Sequence, residues 1–124
     1  MTAAELPQKW ANAWASGDVR SLADLYADDC VYRHPMFPEP IVGKEVLHRH
    51  YAAIAESFAD FDPQVVRVIA DGNNVAAEIV HKAVRTAELS TPTGVLSPGP
   101  VETPAGHFFR LNAEGLITEE HQYG

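Results

Sequence analysis

The hydrophobic spacing of the chain changes once, and this change restricts the fold more than any other feature of the sequence. Apolar residues first recur at helical spacing, at Leu6, Trp10 and Trp14 and again over residues 47–58. From Pro63 onward the spacing becomes two residues, which is typical of strands with one buried face. Three helices followed by an antiparallel meander predict an α+β fold, with the helices packed on one face of a strongly curved sheet.

Capping and turn residues predict where these elements begin and end. Thr2 and Glu5 fit a capping box at the start of the first helix. Gly17 predicts the end of that helix, and Asp18 predicts the cap of the next one. A third helix is predicted over residues 44–59. Strands are predicted over residues 64–71, 75–85, 105–111 and 116–123, with the proline- and glycine-rich segment 91–104 as a connection or ragged edge.

One further strand is predicted at residues 30–34, between a helical segment and a proline-rich loop. The preceding residues 22–29 are expected to form a short amphipathic helix that ends in solvent. Alternation along the strand places Cys30, Tyr32 and His34 on one face. Because Pro35 restricts the backbone at His34, this imidazole is a candidate functional group held in a defined direction.

Composition excludes several classes of function. A chain of 124 residues is expected to form a single domain over residues 1–124. Its net charge of −8, with only 9 Lys+Arg, argues against binding to nucleic acids or to anionic membranes. One cysteine fits a reducing compartment, and the N-terminus shows no secretory signal, so a cytoplasmic location is predicted.

Six short motifs, taken in order, resemble those of a known superfamily. They are W-x3-W-A-S-G-D, L-Y-A-D-D-C-V-Y, H-P-x-F-P, G-K-E, HFFRLNAEGLI and EEHQYG. In order and spacing the chain is similar to the superfamily of nuclear transport factor 2, ketosteroid isomerase and SnoaL-like polyketide cyclases. The resemblance implies a cone of curved sheet closed by three helices, an apolar pocket in its mouth and often a homodimer.

The resemblance also suggests roles for single residues. His34 stands where the isomerases carry the aspartate base, and His107 stands near their protonated aspartate of the oxyanion hole. Trp10 occupies the approximate position of their oxyanion-hole tyrosine. Gln122 takes the place of an acid that many SnoaL-like and epoxide-hydrolase relatives carry on the last strand.

Alternation then predicts which side chains face the pocket. His81, His107, Phe109, Glu120 and Gln122 are expected on inward faces of their strands, with Thr118 also inward and His121 and Tyr123 outward. Glu120 is the one plausible pocket carboxylate and a possible general acid, although a surface position is an equal alternative. Each histidine could instead be a buried residue bonded to the backbone.

The remaining site predictions concern metals and ligands. His34, His81 and His107 could together hold zinc or iron, but no short metal spacing supports this, so no metal and no cofactor are predicted. The indoles of Trp10 and Trp14, with Tyr32 and Phe58, are expected to bind an apolar molecule.

Two functions from different classes follow. In the first, His34 removes a proton next to the carbonyl of an apolar compound and His107 donates a hydrogen bond to the enolate, as in an isomerase, cyclase or dehydratase. In the second, the protein is a non-catalytic ligand-binding or dimeric accessory module. Histidines without a partner that fixes their tautomer would favour the second function.

Overall fold

The structure, a computed structural model, describes residues 2–124 and has helices packed against a curled sheet. The helical elements are a 3-10 turn over Ala3–Glu5, α1 over Leu6–Ser16, α2 over Val19–Ala23 and α3 over Lys44–Ser57. The strands are β1 (Tyr26–Arg33), β2 (Ile41–Val42), β3 (Phe58–Ala59), β4 (Gln64–Asp71), β5 (Asn74–Arg85), β6 (Leu89–Thr91), β7 (Gly94–Leu96), β8 (Gly99–Leu111) and β9 (Ile117–Tyr123). The predicted α+β class is therefore confirmed.

The main sheet has seven strands and is mixed rather than purely antiparallel. Its order is β2-β1-β9-β8-β5-β3, with β4 paired to β5 beside β3. The meander from β4 through β5 and β8 to β9 is antiparallel, as predicted, whereas β1 pairs with β9 in parallel. The prediction of an antiparallel sheet was wrong at this pair, because the early strand β1 joins the free edge of the last strand.

The ends of the first helices follow from their capping residues, with one exception. Gly17 adopts a left-handed conformation (φ 77°) and donates its N–H to the Trp14 carbonyl, which ends α1. Asp18 caps α2 by accepting from the Arg20 and Ser21 amides. The predicted capping box is absent, since the Thr2 hydroxyl donates to the Glu5 carboxylate and α1 begins only after the 3-10 turn.

Three segments differ from the prediction, and the shortest is Phe58–Ala59, which was expected at the end of the third helix and forms β3. The helix expected over residues 22–29 ends at Ala23, and β1 begins at Tyr26, where a register shift in the pairing with β9 buries Tyr26 and exposes Asp28 and Asp29. The segment 91–104, expected to be a connection, contains the turn and second strand of the hairpin β6–β7 and the first half of β8. Residues 99–104 pair with β5 while β9 covers only Gly106–Leu111, so their other edge is free and can hold proline.

Alternation along β8 and β9 determines which polar groups enter the core. Ala105, His107, Phe109 and Leu111 are all buried, as predicted for the inward face of β8. On β9 the predicted inward position of Glu120 is also found. A register shift between β8 and β9 buries Ile117, so the inward position predicted for Thr118 was wrong, and its hydroxyl donates to the Arg110 carbonyl.

Across residues 2–124, none of the helices has the length and apolar character that crossing a membrane requires.

Candidate functional site

A cavity of about 290 Å³ opens between the helices and the inner face of the sheet. Most of its wall is aromatic or aliphatic, which suits an apolar ligand. The structure places seven of the ten predicted site residues in this wall: Trp10, Trp14, Tyr32, His34, Phe58, His81 and Gln122. Of these, His34 lies on the loop after β1. The other lining residues are Met36, Phe37, His50, Tyr51, Ile54, Phe61, Pro63, Lys82, Ala83 and Val101.

Three further predicted site residues lie behind the wall of the cavity. His107 and Glu120 are fully buried, and Phe109 is 2% exposed. The Phe109 ring stacks on the His107 imidazole, with centroids 5.7 Å apart and an angle of 8° between the planes. These side chains therefore cannot touch a ligand in the cavity directly; what connects them to it is His81.

A chain of hydrogen bonds runs from the buried carboxylate to the cavity. His107 Nδ1 lies 2.9 Å from Glu120 Oε2, and His107 Nε2 lies 2.8 Å from His81 Nε2. We assign the protons for an ionised Glu120 and two neutral imidazoles: His107 then donates through Nδ1 to the carboxylate, which only accepts, and accepts at Nε2. His81 then donates through Nε2, and its Nδ1 carries a lone pair. This Nδ1 makes no hydrogen bond within residues 2–124, and the His81 side chain lines the cavity.

A cluster of phenols and an indole surrounds the other carboxylate oxygen. The Tyr26 hydroxyl donates to Glu120 Oε1 and accepts from Trp10 Nε1 at 3.0 Å and from the Tyr51 hydroxyl at 2.9 Å. Burial and the nearby Glu120 charge raise the pKa of Tyr26 and of Tyr51 well above the ordinary value for a phenol. Both phenols thus stay protonated, and Tyr26 remains a donor to the buried Glu120 carboxylate.

The environment of His81 keeps its imidazole neutral. Burial, followed by the neighbouring His107, lowers the pKa of His81 to about 4. Alternation predicted inward positions for both His81 and His107, and the structure brings the two rings together. An imidazole with a free lone pair can act as a general base when a hydrogen-bond partner fixes its orientation. Here that partner is His107, which is itself hydrogen-bonded to the Glu120 carboxylate.

His34 shares the cavity but not the hydrogen-bonded chain. The Met36 amide donates to His34 Nδ1 at 3.0 Å, and His34 Nε2 donates to the Gly124 main-chain oxygen at 3.0 Å. Both ring nitrogens are thus bonded to backbone, which was the alternative left open for each histidine. Proton uptake at His34 requires that the bond from Met36 be given up.

Tyr26 and His50 were not predicted as site residues. Tyr26 was expected in a helix, and nothing in the local pattern indicated the irregular start of β1. His50 could have been found, because it lies three residues after Leu47 and four before Ile54, on the helix face that turns inward. Its ring lies 6.0 Å from the Tyr32 ring, and burial, followed by His34, lowers its pKa.

A larger groove of about 660 Å³ lies on the opposite face of the sheet. Its wall includes the exposed side chains of Ile69, Phe108 and Tyr123 and the outward-facing His121. No hydrogen-bonded chain of buried titratable groups reaches this groove within the described part of the molecule. Its exposed apolar side chains suit contact with another protein surface better than chemistry.

Within residues 2–124, no three His, Cys, Asp or Glu side chains are grouped so that they could hold a metal ion.

Comparison with known proteins gives the family. Residues 8–120 match the model of the SnoaL-like domain. Three solved structures share the fold at 20–22% identity. A protein with a ketosteroid isomerase-like fold from Catenulispora acidiphila, in complex with trimethylamine, superposes with a TM-score of 0.81 at 21% identity, over 99% of this chain and 87% of that one.

An LEH-like epoxide hydrolase from Mycobacterium tuberculosis gives a TM-score of 0.75 at 20% identity, over 98% of this chain and 80% of that one. IdmH from Streptomyces antibioticus, named as a proposed polyketide cyclase, gives a TM-score of 0.80 at 22% identity, over 98% of this chain and 91% of that one. No curated protein matches the sequence. The match over residues 8–120, together with the fold, shows that the chain belongs to the SnoaL-like domain family.

Proposed function

We propose that the protein is an acid–base enzyme that moves a proton on an apolar carbonyl compound, as an isomerase, cyclase or dehydratase, without a cofactor. The observation that carries this proposal is the chain of hydrogen bonds from Glu120 through His107 to His81, which lines the cavity and has no hydrogen-bond partner at Nδ1 within the described residues. The names of the structural neighbours, which include cyclase, ketosteroid isomerase-like and epoxide hydrolase, are compatible with small-molecule chemistry in such a cavity.

The first step is removal of a proton from the carbon next to the carbonyl group. The C–H bond breaks, its electron pair moves toward the carbonyl oxygen to give an enolate, and the proton goes to His81 Nδ1. His81 can then pass its Nε2 proton to His107 Nε2. The result is a neutral His81 and an imidazolium at His107, which lies 2.9 Å from the Glu120 carboxylate.

The buried carboxylate is what makes this transfer favourable. A pKa of about 4 makes His81 alone a weak base. The attraction between an imidazolium and a carboxylate is far stronger in a fully buried site than in water, so Glu120 stabilises the proton once it is on His107. Returning the proton to a different carbon isomerises the substrate, and delivering it to a departing hydroxyl group dehydrates it.

The structure also bears on which histidine is the base. His34, the base expected from the resemblance, has both nitrogens bonded to backbone groups. His81 has a free nitrogen and a partner that fixes its tautomer. We therefore assign proton removal to His81 and keep His34 as the alternative base, at the mouth of the cavity. The same fixed tautomers favour an enzyme over a non-catalytic binding module.

The test is exchange of hydrogen for deuterium next to the carbonyl of aryl ketones and small cyclic ketones in D2O, followed by NMR. The wild type should accelerate exchange in at least one ketone that binds, and His81→Gln should reduce the rate by about 10²- to 10⁴-fold. His48→Gln, on α3 and outside the cavity wall, is the matched control and should exchange like the wild type.

Two outcomes would contradict the proposal. If His34→Gln lost the exchange while His81→Gln kept it, the base would be His34. If ketones bound but none exchanged faster than in buffer, the protein would be a binding module, which is the second function considered from the sequence.

A further inference from the structure

The amide of Gln122 is a polar group of the cavity wall whose N–H donors are unused within the described residues. Gln122 lies on β9 directly across from His107 on β8. Its Oε1 accepts a hydrogen bond from the Tyr32 hydroxyl at 2.8 Å. Its Nε2 has no hydrogen-bond partner within the described residues, and the side chain lines the cavity. Two N–H bonds therefore remain available to a ligand.

Tyr32 determines which end of the amide faces the ligand. Burial, followed by the Glu120 charge, raises the pKa of Tyr32 far above the ordinary value, so this phenol keeps its proton. A protonated hydroxyl donating to Oε1 turns that oxygen toward β1 and leaves the Nε2 end for the cavity. Tyr32 is thus a positioning residue for Gln122.

The charges around the cavity restrict the ligand further. Among its described lining residues there is no carboxylate, and Lys82 carries the only permanent charge. The Lys82 amine lies on the outer face of β5, 4.0 Å from the Glu102 carboxylate on the neighbouring strand. His50 and His81 both have lowered pKa values because they are buried. A charged ligand would therefore lose its hydration without gaining a partner of opposite charge.

We propose that Gln122, held by Tyr32, donates a hydrogen bond to the carbonyl oxygen of the ligand and makes the cavity selective for uncharged carbonyl compounds. This inference rests on the proposed function for its catalytic meaning: as the C–H bond breaks, charge collects on that oxygen and strengthens the bond from Gln122. The expected role of His107 as donor to the enolate passes to Gln122, because His107 is buried with both nitrogens bonded.

Binding of matched probes tests the inference without any turnover. The probes are 2-acetylnaphthalene, its isostere 2-isopropenylnaphthalene, in which a methylene group replaces the carbonyl oxygen, and the anion 2-naphthoate. Quenching of Trp10 and Trp14, both in the cavity wall, reports the dissociation constants. The wild type should bind the ketone about 3- to 10-fold tighter than the isostere, which is the effect of one neutral hydrogen bond.

The variants separate this donor from other effects. Gln122→Leu should bind both neutral probes equally, and Tyr32→Phe should retain only part of the preference. Gln8→Leu, on the exposed face of α1, is the matched control and should keep the full preference. The preference is measured by binding alone, so a failure of the proposed proton transfer would leave this result unchanged.

Three results would overturn the inference. One is a preference for the ketone that persists in Gln122→Leu. Another is binding of 2-naphthoate as tight as binding of the ketone. The third is the absence of saturable binding of either neutral probe to the wild type.

Discussion

The neutral state of buried His81 should make the folded protein less stable in acid, and the size of the effect follows from its pKa. The unfolded chain takes up a proton at this position near pH 6.5, whereas the folded protein resists it until about pH 4. Above pH 6.5 His81 is neutral in both states, and its titration does not change the free energy of unfolding. As the pH falls from 6.5 to 4, the unfolded state binds the extra proton, so the stability of the folded state falls. Below pH 4 the complete loss of free energy of unfolding from this group is about 3 kcal/mol.

Urea unfolding of the wild type and His81→Gln measures this contribution. Glutamine keeps a hydrogen-bonding side chain of similar size but does not titrate. Between pH 7 and about pH 4.5 the wild type should lose about 2 kcal/mol more free energy of unfolding than His81→Gln. The comparison cancels the titration of groups shared by both proteins. His48→Gln should lose as much as the wild type.

Equal losses in wild type and His81→Gln would refute the reasoning. They would mean that His81 takes up its proton at the same pH in the folded and unfolded states. In that case neither its burial nor its neighbour His107 keeps the imidazole neutral below pH 6.5.

Two further predictions follow from the same structure. The rate of ketone exchange should fall as the pH decreases, because a proton taken up by the hydrogen-bonded pair of His81 and His107 removes the acceptor at His81 Nδ1; a rate that does not change between pH 7 and pH 4 would contradict a histidine base. The chain should form a homodimer through the outer face of the sheet, where Ile69, Phe108 and Tyr123 are 65%, 54% and 52% exposed. Sedimentation should give twice the 13.5 kDa mass for the wild type and a shift toward monomer for Phe108→Glu, and a wild type that sediments only at 13.5 kDa would contradict the dimer.

Much of the fold could be predicted because periodicity acts locally. The alternation on β8 and β9 correctly placed His107 and Glu120 on the inner face, and Gly17 and Asp18 marked the junction between α1 and α2. The start of β1 could not be predicted, because its irregular register with β9 depends on a partner strand that lies 90 residues away in sequence.

The contact between His81 and His107 was harder to predict than the face of the sheet on which each side chain lies. In the ladder His81 pairs with Thr103 and His107 pairs with Ala77, so the two histidines are four residues out of register. On a flat sheet that offset would separate their backbones by about 13 Å along the strands. They meet because the sheet curls and the inner side chains converge, and local periodicity carries no measure of that curvature.

The most direct test of the account is the protonation state of each ring nitrogen of His81 and His107 at pH 7, measured by nitrogen-15 NMR on ¹⁵N-histidine protein. The account predicts that His107 is protonated at Nδ1, toward Glu120, and that His81 is protonated at Nε2, toward His107. His81 Nδ1 should then show the chemical shift of an unprotonated nitrogen. In Glu120→Gln the amide can accept or donate, so the two tautomers should no longer be fixed. A proton on His81 Nδ1 in the wild type would contradict the account, because the cavity would then face a donor where a base is required.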